Sequence, residues 1–395
     1  MPPIEDPTAS SAVLDMADRL ADALNVHQMR TFAPDARKDL RLFQAGEVAD
    51  LLDVTPQFLR NLHAEGRIPD VHTASGGRRF YSAQAIQQIR EILEKTAKKK
   101  GSYLRGRQEG EALQVLQLMN FKGGSAKTST TLHLAHYLAL HSYRVLAIDL
   151  DPQGSLTTMF GIRPTLDLDD MFTAYDAIKY DDPVSIRDCA HPTYFQNIDL
   201  VPAELQLQTF EHETAAVLRD TSRREVPFFK RLSVAISDVA DDYDVVLIDS
   251  PPQLGFLTIA GAVASTGILV PIVPSMLDVS STAQFLRMTG ELLEVIDQQG
   301  VTMRYDFLKY LIARHEPSDG PQQQMVAFLR NLFGEDVLVS TALKSTAISD
   351  ATTFRQSLYE VPRADIHRQT YDRALESMNA VGAEVEKLMH RAWGR

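Results

Sequence analysis

Cysteine is nearly missing from this 395-residue sequence. Cys189 is the single one, which excludes an internal disulfide, a cysteine zinc cluster and an iron–sulfur site built from several thiolates of one chain. That fits a reducing cytoplasm. Long apolar runs are missing too: no uninterrupted stretch would span a bilayer, and Met1–Asp6 opens acidic and Pro-rich, unlike a charged-then-apolar leader. Basic residues are in deficit, with a formal net charge of −12, which argues against a chain coated in basic surface. The deficit is uneven. Residues 31–110 hold 14 Lys/Arg against 10 Asp/Glu, and the remainder holds 26 against 42. One locally basic segment on an acidic chain points to a DNA-facing module. What is left, 44% hydrophobic and 23% charged, is ordinary for a globular chain long enough for two or three domains.

The chain is organised around residues 115–131. Val115 to Met119 reads as a buried strand, Gly123-Gly124 as a turn, and Lys127 onward as a helix with Leu132, Leu134, Ala135, Leu138 and Ala139. Strand, glycine loop and helix is the layout of a phosphate-binding loop. Backbone N–H groups turn inward, the helix N-terminus adds positive potential, Lys127 supplies a point charge, and the Thr128 hydroxyl suits Mg²⁺. The common G-x-x-x-x-G-K-[ST] pattern is altered. Phe121 and Ala126 stand at its two glycine positions, and a second lysine, Lys122, precedes the glycines.

Two more buried strands end in carboxylates. Tyr143 to Leu150 leads to Asp149 and Asp151, followed by Pro152-Gln153-Gly154. Asp244 to Ile248 leads to Asp249, the layout of a Walker B strand, where Asp249 would hold Mg²⁺. Strand C-termini line the ligand crevice of a doubly wound parallel sheet, which puts these carboxylates on the phosphate side. Gly267–Pro274 and Lys309–Arg314 read as further strands, so residues 112–395 are expected to form an α/β doubly wound, mostly parallel sheet of the P-loop NTPase class.

Ahead of it, residues 41–97 carry a different pattern. Ala45–Leu52 reads as a helix, Asp53-Val54 as a tight turn, and Thr55-Pro56 as the cap and first position of a second helix that Gly66 stops. Arg60, Asn61 and His63 would project from that second helix. Ser75-Gly76-Gly77-Arg78-Arg79-Phe80-Tyr81 would turn a hairpin carrying two arginines, and Ser82 would cap a helix from Ala83 to about Thr96. This resembles the winged helix-turn-helix of MerR-like DNA-binding domains, and its arginines suit phosphate contacts. Residues 1–40 add a helical stripe with Leu14, Ala17, Ala21 and Leu24, read either as a dimerisation helix or as one packed on its own domain; Pro34 and Asp35–Asp39 mark its end. Residues 98–111, with Lys98–Lys100, Arg105 and Arg107, read as a basic flexible linker that touches DNA or serves as a solvated hinge. Thr165–Asp170 is polar and acidic, Lys344–Asp350 reads as a polar loop, and Cys189 as a packing or surface residue. The last helix, Tyr371 to about Trp393, has an acidic polar face that suits core packing better than an anionic membrane.

Lys122-Gly123-Gly124-Ser125-Ala126-Lys127-Thr128 resembles the deviant Walker A motif of the ParA/MinD ATPases, and Asp149-Leu150-Asp151-Pro152-Gln153 resembles their D-x-D-P-Q motif. Together with the winged helix, the likeness is to the larger plasmid-type ParA partition ATPases, closest to the RepA proteins of RepABC replication–partition cassettes, over about residues 40–390. The resemblance implies ATP and Mg²⁺ as ligands and a slow ATPase. It implies a nucleotide site of Lys122, Gly123, Gly124, Ser125, Ala126, Lys127, Thr128 and Ser129. Lys122 would reach the nucleotide of the opposite subunit of an ATP-dependent homodimer, with Lys127 acting in its own. Asp151 would orient the attacking water, and Asp149 would lie beside Thr128 and Asp249 on the Mg²⁺ or loop side. It also implies non-specific DNA binding by the ATP form, release on hydrolysis stimulated by a ParB-like partner, repression of the chain's own operon, and a cytoplasmic, nucleoid-associated location without a membrane step. DNA contacts are expected from Arg60, Asn61, Arg78 and Arg79. Arg330 and Lys344 are expected either to touch DNA or to form surface salt bridges. Ala126, where a glycine is usual, bears on turnover, and the alternative function is a nucleotide-gated repressor with negligible hydrolysis.

Overall fold

Hydrophobic strands whose every residue is buried build the centre of this protein. The computed structural model describes residues 8–31, 38–164, 167–220, 226–363 and 365–395. The expected opening of the chain, the break at Pro34–Arg37 and the start of the acidic stretch at Thr165 lie outside the described residues. The chain falls into two units, residues 1–39 and 40–395. The first contributes helix α1 (Ala9–Thr31), on which Val13, Leu14, Met16 and Leu20 are exposed.

The second unit begins with a small three-stranded sheet and three helices: β1 (Phe43–Gln44), α2 (Ala45–Leu51), α3 (Pro56–Ala64), β2 (His72–Thr73), β3 (Arg79–Tyr81) and α4 (Ala83–Glu94). The Thr55 hydroxyl accepts from the Phe58 N–H and Pro56 occupies the first turn of α3; Ser82 caps α4 in the same way through Ala85. Asp53 takes a left-handed φ of 54° in the turn between α2 and α3. Gly76 and Gly77, both at positive φ, turn the β2–β3 hairpin. Helix-turn-helix and wing are therefore present as the residue pattern implies.

The large sheet follows, with β4 (Gln114–Leu118), α5 (Lys127–Leu140), β5 (Val145–Asp149), α6 (Ser155–Met159), α7 (Ala174–Ile178), α8 (Ile186–Cys189), β6 (His191–Pro192), β7 (Ile198–Val201), α9 (Gln208–Val217), α10 (Phe228–Ser237), β8 (Val245–Asp249), α11 (Phe256–Ala264), β9 (Gly267–Ile272), α12 (Met276–Asp297), β10 (Phe307–Ile312), α13 (Gly320–Phe333), α14 (Thr346–Thr353) and α15 (Arg368–Ala392). Its order is β10-β9-β4-β8-β5-β7-β6, parallel throughout except for the β6–β7 pair. Parallel strands joined by helical crossovers put their carboxyl ends on one edge. Asp249 and Asp149 sit in register at that edge, on adjacent strands.

Helix α15 packs on α5, burying Tyr371, Ala374, Met378, Val381, Val385, Leu388 and Met389. Gly382 lies so close to the Tyr137 ring that a Cβ would stand 2.5 Å from it. This is the core packing that its acidic polar face predicts. Two expectations are corrected. Residues 346–350 of the supposed polar loop belong to α14, because Ser345 accepts from Ala347 N–H and Ala347 and Ala351 are buried. The stretch read as a flexible linker is fastened: Glu94 accepts the N–H groups of Gly101, Tyr103 and Leu104, Arg105 pairs with buried Glu386, and Arg107 donates to the Ala240 carbonyl. Cys189 is fully buried, and burial pushes its thiol up to about 12, the behaviour of a packing residue.

Candidate active site and nucleic-acid interface

The β4–α5 connection forms a loop over the carboxyl edge of the sheet. Asn120, buried, starts it: its amide donates to the Pro271 carbonyl and Thr282 Oγ1, and its oxygen accepts the Lys122 N–H at 3.2 Å. Asn120 was not singled out from sequence, since a polar residue after a strand carries no signal of its own. Gly124 takes φ 77°, and a Cβ at Gly123 would meet nothing within 4 Å, so the loop leaves an open cradle. Ala126 is the N-cap of α5 at φ 70°. A glycine would adopt that left-handed backbone freely; an alanine strains it by about 1–2 kcal/mol.

Lys127 Nζ lies under the loop, 3.4 Å from the Lys122 carbonyl, and is almost fully buried. Burial lowers its pKa, and the charges of Asp249 and Asp151 oppose that shift. Thr128 Oγ1 donates to Asp249 Oδ2 at 2.6 Å, and Thr131 Oγ1 to Oδ1 at 3.3 Å. Asp249 is pushed up by burial and then by the nearby Asp149 charge. Asp151, also raised by burial, accepts from Gln153 N–H at 3.0 Å. Lys127 and Thr128 are thus brought beside Asp249, with the charge of Asp151 close by.

Asp149 is placed differently from these four. Its Oδ2 accepts both the N–H and the hydroxyl of Thr157, and its Oδ1 accepts the Asp151 N–H at 3.0 Å. The carboxylate is engaged in holding Asp151 and the start of α6. Lys122 pairs within its own chain, with Asp278 at 2.8 Å. Asp278 stands in the first turn of α12, where Ser275 caps the helix.

The fit to a nucleotide and a divalent ion rests on these atoms. The Ser125 hydroxyl, in the phosphate loop, is buried with no partner. Desolvated carboxylates around a hydroxyl make an all-oxygen set that suits a hard cation. Among the described residues no group of three or more His, Cys, Asp or Glu would hold a metal by itself. In sites of this kind, magnesium is held by one or two side chains together with the phosphates.

The second site is the winged helix. Arg60, Arg78 and Arg79 line one groove between α3 and the hairpin. Arg60 and Asn61 are exposed and both bond to Gln57, at 2.7 and 2.8 Å. His63 does not project: its Nε2 meets the Tyr81 hydroxyl at 2.8 Å and fastens α3 to β3. Arg330 and Lys344 lie apart from this groove in sequence, and each has an intrachain partner: Arg330 donates to the Val339 carbonyl, and Lys344 pairs with Glu316 at 2.9 Å. Lys344 thus forms a surface salt bridge, whereas Arg330 bonds a backbone carbonyl.

The nucleotide site and the winged helix are not independent. Arg90 of α4 is fully buried and donates to the carbonyls of Leu51, Tyr103 and Leu140. Those carbonyls belong to the end of α2, to the connecting segment and to the end of α5. Arg41 likewise donates to the Tyr359 carbonyl at 2.9 Å while pairing with Glu47.

Comparison with known proteins agrees with both halves. Residues 113–299 match the family model described as AAA domain, and residues 44–81 match that of the MerR family regulatory proteins. A Rhizobium rhizogenes protein named "putative replication protein A" is 47% identical over 380 residues, spanning 96% of this chain and 94% of its own length. The chromosome partitioning protein ParA of Caulobacter vibrioides is 30% identical over 248 residues, 61% of this chain and 85% of its own length. A solved structure described as a partition protein shares the fold with a TM-score of 0.65 at 19% identity, covering 96% of this chain and 99% of that one.

Proposed function

This chain belongs to the ParA family of partition ATPases, in its RepABC-type branch, and from that premise we propose that it is an ATP-hydrolysing switch that segregates a replicon with a ParB-like partner and represses its own operon through the winged helix. The observation that carries the reading is the meeting of Lys127, Thr128, Asp249 and Asp151 under a loop whose Ser125 hydroxyl has no partner.

ATP would lie in the cradle of loop N–H groups, with Lys127 and the α5 N-terminus neutralising its phosphates. Thr128 and Asp249 would hold Mg²⁺, which supplies charge neutralisation for the transferred phosphoryl group. Asp151, backed by Asp149 through its own N–H, would orient the attacking water. Lys122 would leave Asp278 and serve the nucleotide of a second copy in the ATP-dependent homodimer. Loss of the terminal phosphate would loosen that dimer and its hold on non-specific DNA. The wing arginines Arg78 and Arg79 would grip phosphates of the operator, with Arg60 and Asn61 presented to it from α3.

The test is ATP turnover by the full chain, alone, with non-specific DNA, and with DNA plus a ParB-like partner, beside Asp151→Ala and Lys122→Ala. Slow turnover that the partner raises and both substitutions abolish is expected. Tight ATP binding without turnover under any of these conditions would overturn it. The left-handed Ala126 would then favour the second reading, a nucleotide-gated repressor.

A further inference from the structure

Residues 95–108 hold six basic side chains and no acidic one, on a chain whose net charge is −12. Two of the six are engaged inside the fold, Arg105 with buried Glu386 and Arg107 with the Ala240 carbonyl. The other four, Lys95, Lys98, Lys99 and Lys100, are exposed, and among the described residues none of them forms a salt bridge. A lysine run on a free linker would be a solvated tail, but this one is displayed on a closed loop. Glu94 accepts the N–H groups of Gly101, Tyr103 and Leu104, which draws the far side of the loop back to the end of α4. Arg90 holds the Tyr103 carbonyl from the same helix. The Ser102 hydroxyl donates to the Lys99 carbonyl at 2.7 Å, and Gly101 turns at φ 78° with so little room that a Cβ would stand 2.7 Å from Gln108 Nε2.

Helix chemistry accounts for only one of these cations. Lys95 is the C-cap of α4, where a positive charge meets the negative end of the helix, but that effect fades within the last turn and Lys98–Lys100 lie beyond it. Like charges held close together repel, so an external polyanion is what such a loop suits. An anionic membrane calls for apolar side chains beside the bases. Among the described residues, no exposed large apolar side chain lies between residues 93 and 112. Duplex DNA asks only for cations set against its phosphates, and phosphate contacts carry no sequence information. The loop is also tied to the wing. Ser82, the cap of α4, follows Tyr81 of β3, and the 12 residues of the helix carry the lysines about 18 Å from that strand. They lie outside the groove of Arg60, Arg78 and Arg79 and so add phosphate contacts to it.

We propose that Lys95, Lys98, Lys99 and Lys100 form a phosphate-binding surface that grips duplex DNA irrespective of sequence. The inference rests on the non-specific DNA binding proposed above and names the residues that carry it. Its test uses the full chain with ATP and a short duplex of arbitrary sequence, with binding measured across a salt series. The triple variant Lys98→Gln, Lys99→Gln, Lys100→Gln is expected to bind at least about tenfold more weakly near 0.1 M salt, with a salt slope smaller by about 3. Lys99→Gln alone lowers the slope by about one. The triple Lys→Arg variant keeps the charge and binds as the parent does. ATP affinity, turnover without DNA and melting temperature stay at the parent's values in all three. Parent-like duplex binding by the triple glutamine variant, weaker binding with the slope unchanged, or an equal loss in the arginine variant would each overturn the assignment. So would lysine-dependent binding to phosphatidylglycerol vesicles with duplex binding unaltered. Failure of the parent chain itself to bind the duplex would instead overturn the non-specific DNA reading, and this inference with it.

Discussion

The nucleotide site and the winged helix keep their working groups in opposite settings. Lys127, Asp151 and Asp249 are buried, and each is aimed by hydrogen bonds or close neighbours within the fold. Arg60, Asn61 and Arg78 are exposed, and Arg60 and Asn61 bond to Gln57 on their own helix. A desolvated group has few orientations open to it, so its position states its chemistry. An exposed arginine contributes charge, and only its partner decides where that charge goes. One region holds its groups in fixed positions, the other presents them on an exposed surface that can adapt.

The contrast can be broken at its strong end first. Lys127→Ala is expected to lower ATP turnover at least about a hundredfold, as loss of a preorganised charge does. Operator binding through the exposed groove should persist, and phosphate release beside a gel-shift measurement checks both. The seam comes next. Arg90→Met leaves the carbonyls of Leu51, Tyr103 and Leu140 without their buried donor, at a cost of about 2 kcal/mol. Denaturant unfolding should show the whole 40–395 unit shifting as one transition. Separate transitions for the winged helix and the sheet would mean that Arg90 does not join them. At the exposed end, Arg78→Ala should weaken operator binding by about 1 kcal/mol irrespective of sequence and reduce the salt slope by about one, with turnover unchanged; binding across a salt series measures this. The smallest effect is expected at Ala126→Gly, a gain of about 0.5–1 kcal/mol in stability from relief of the left-handed backbone, read in a thermal melt.

The parts legible in advance share a physical reason. The phosphate loop, the strands ending in Asp149 and Asp249, and the capped helix after Thr55 are each set by a few consecutive residues. Their local geometry follows from hydrophobic runs, glycines and caps. Less was legible where a residue's role depends on a neighbour distant in the chain. His63 turns to Tyr81, Lys122 to Asp278, and Asp149 to Thr157, and no spacing in the sequence announces these partners. The 98–111 segment looked like a hinge because it is basic and glycine-containing. Its Arg105 and Arg107 instead find Glu386 and the Ala240 carbonyl, far along the chain.

By itself, then, the order of residues determined which elements form, which edge of the sheet carries carboxylates and which segment is basic, because periodicity, capping and strand direction are local properties. Only the tertiary structure decided that Arg314 comes to lie beside Gly124 and that α4 is fastened to the end of α5. Those outcomes depend on which strand lies beside which and on what remains to satisfy a buried polar group once the sheet has closed.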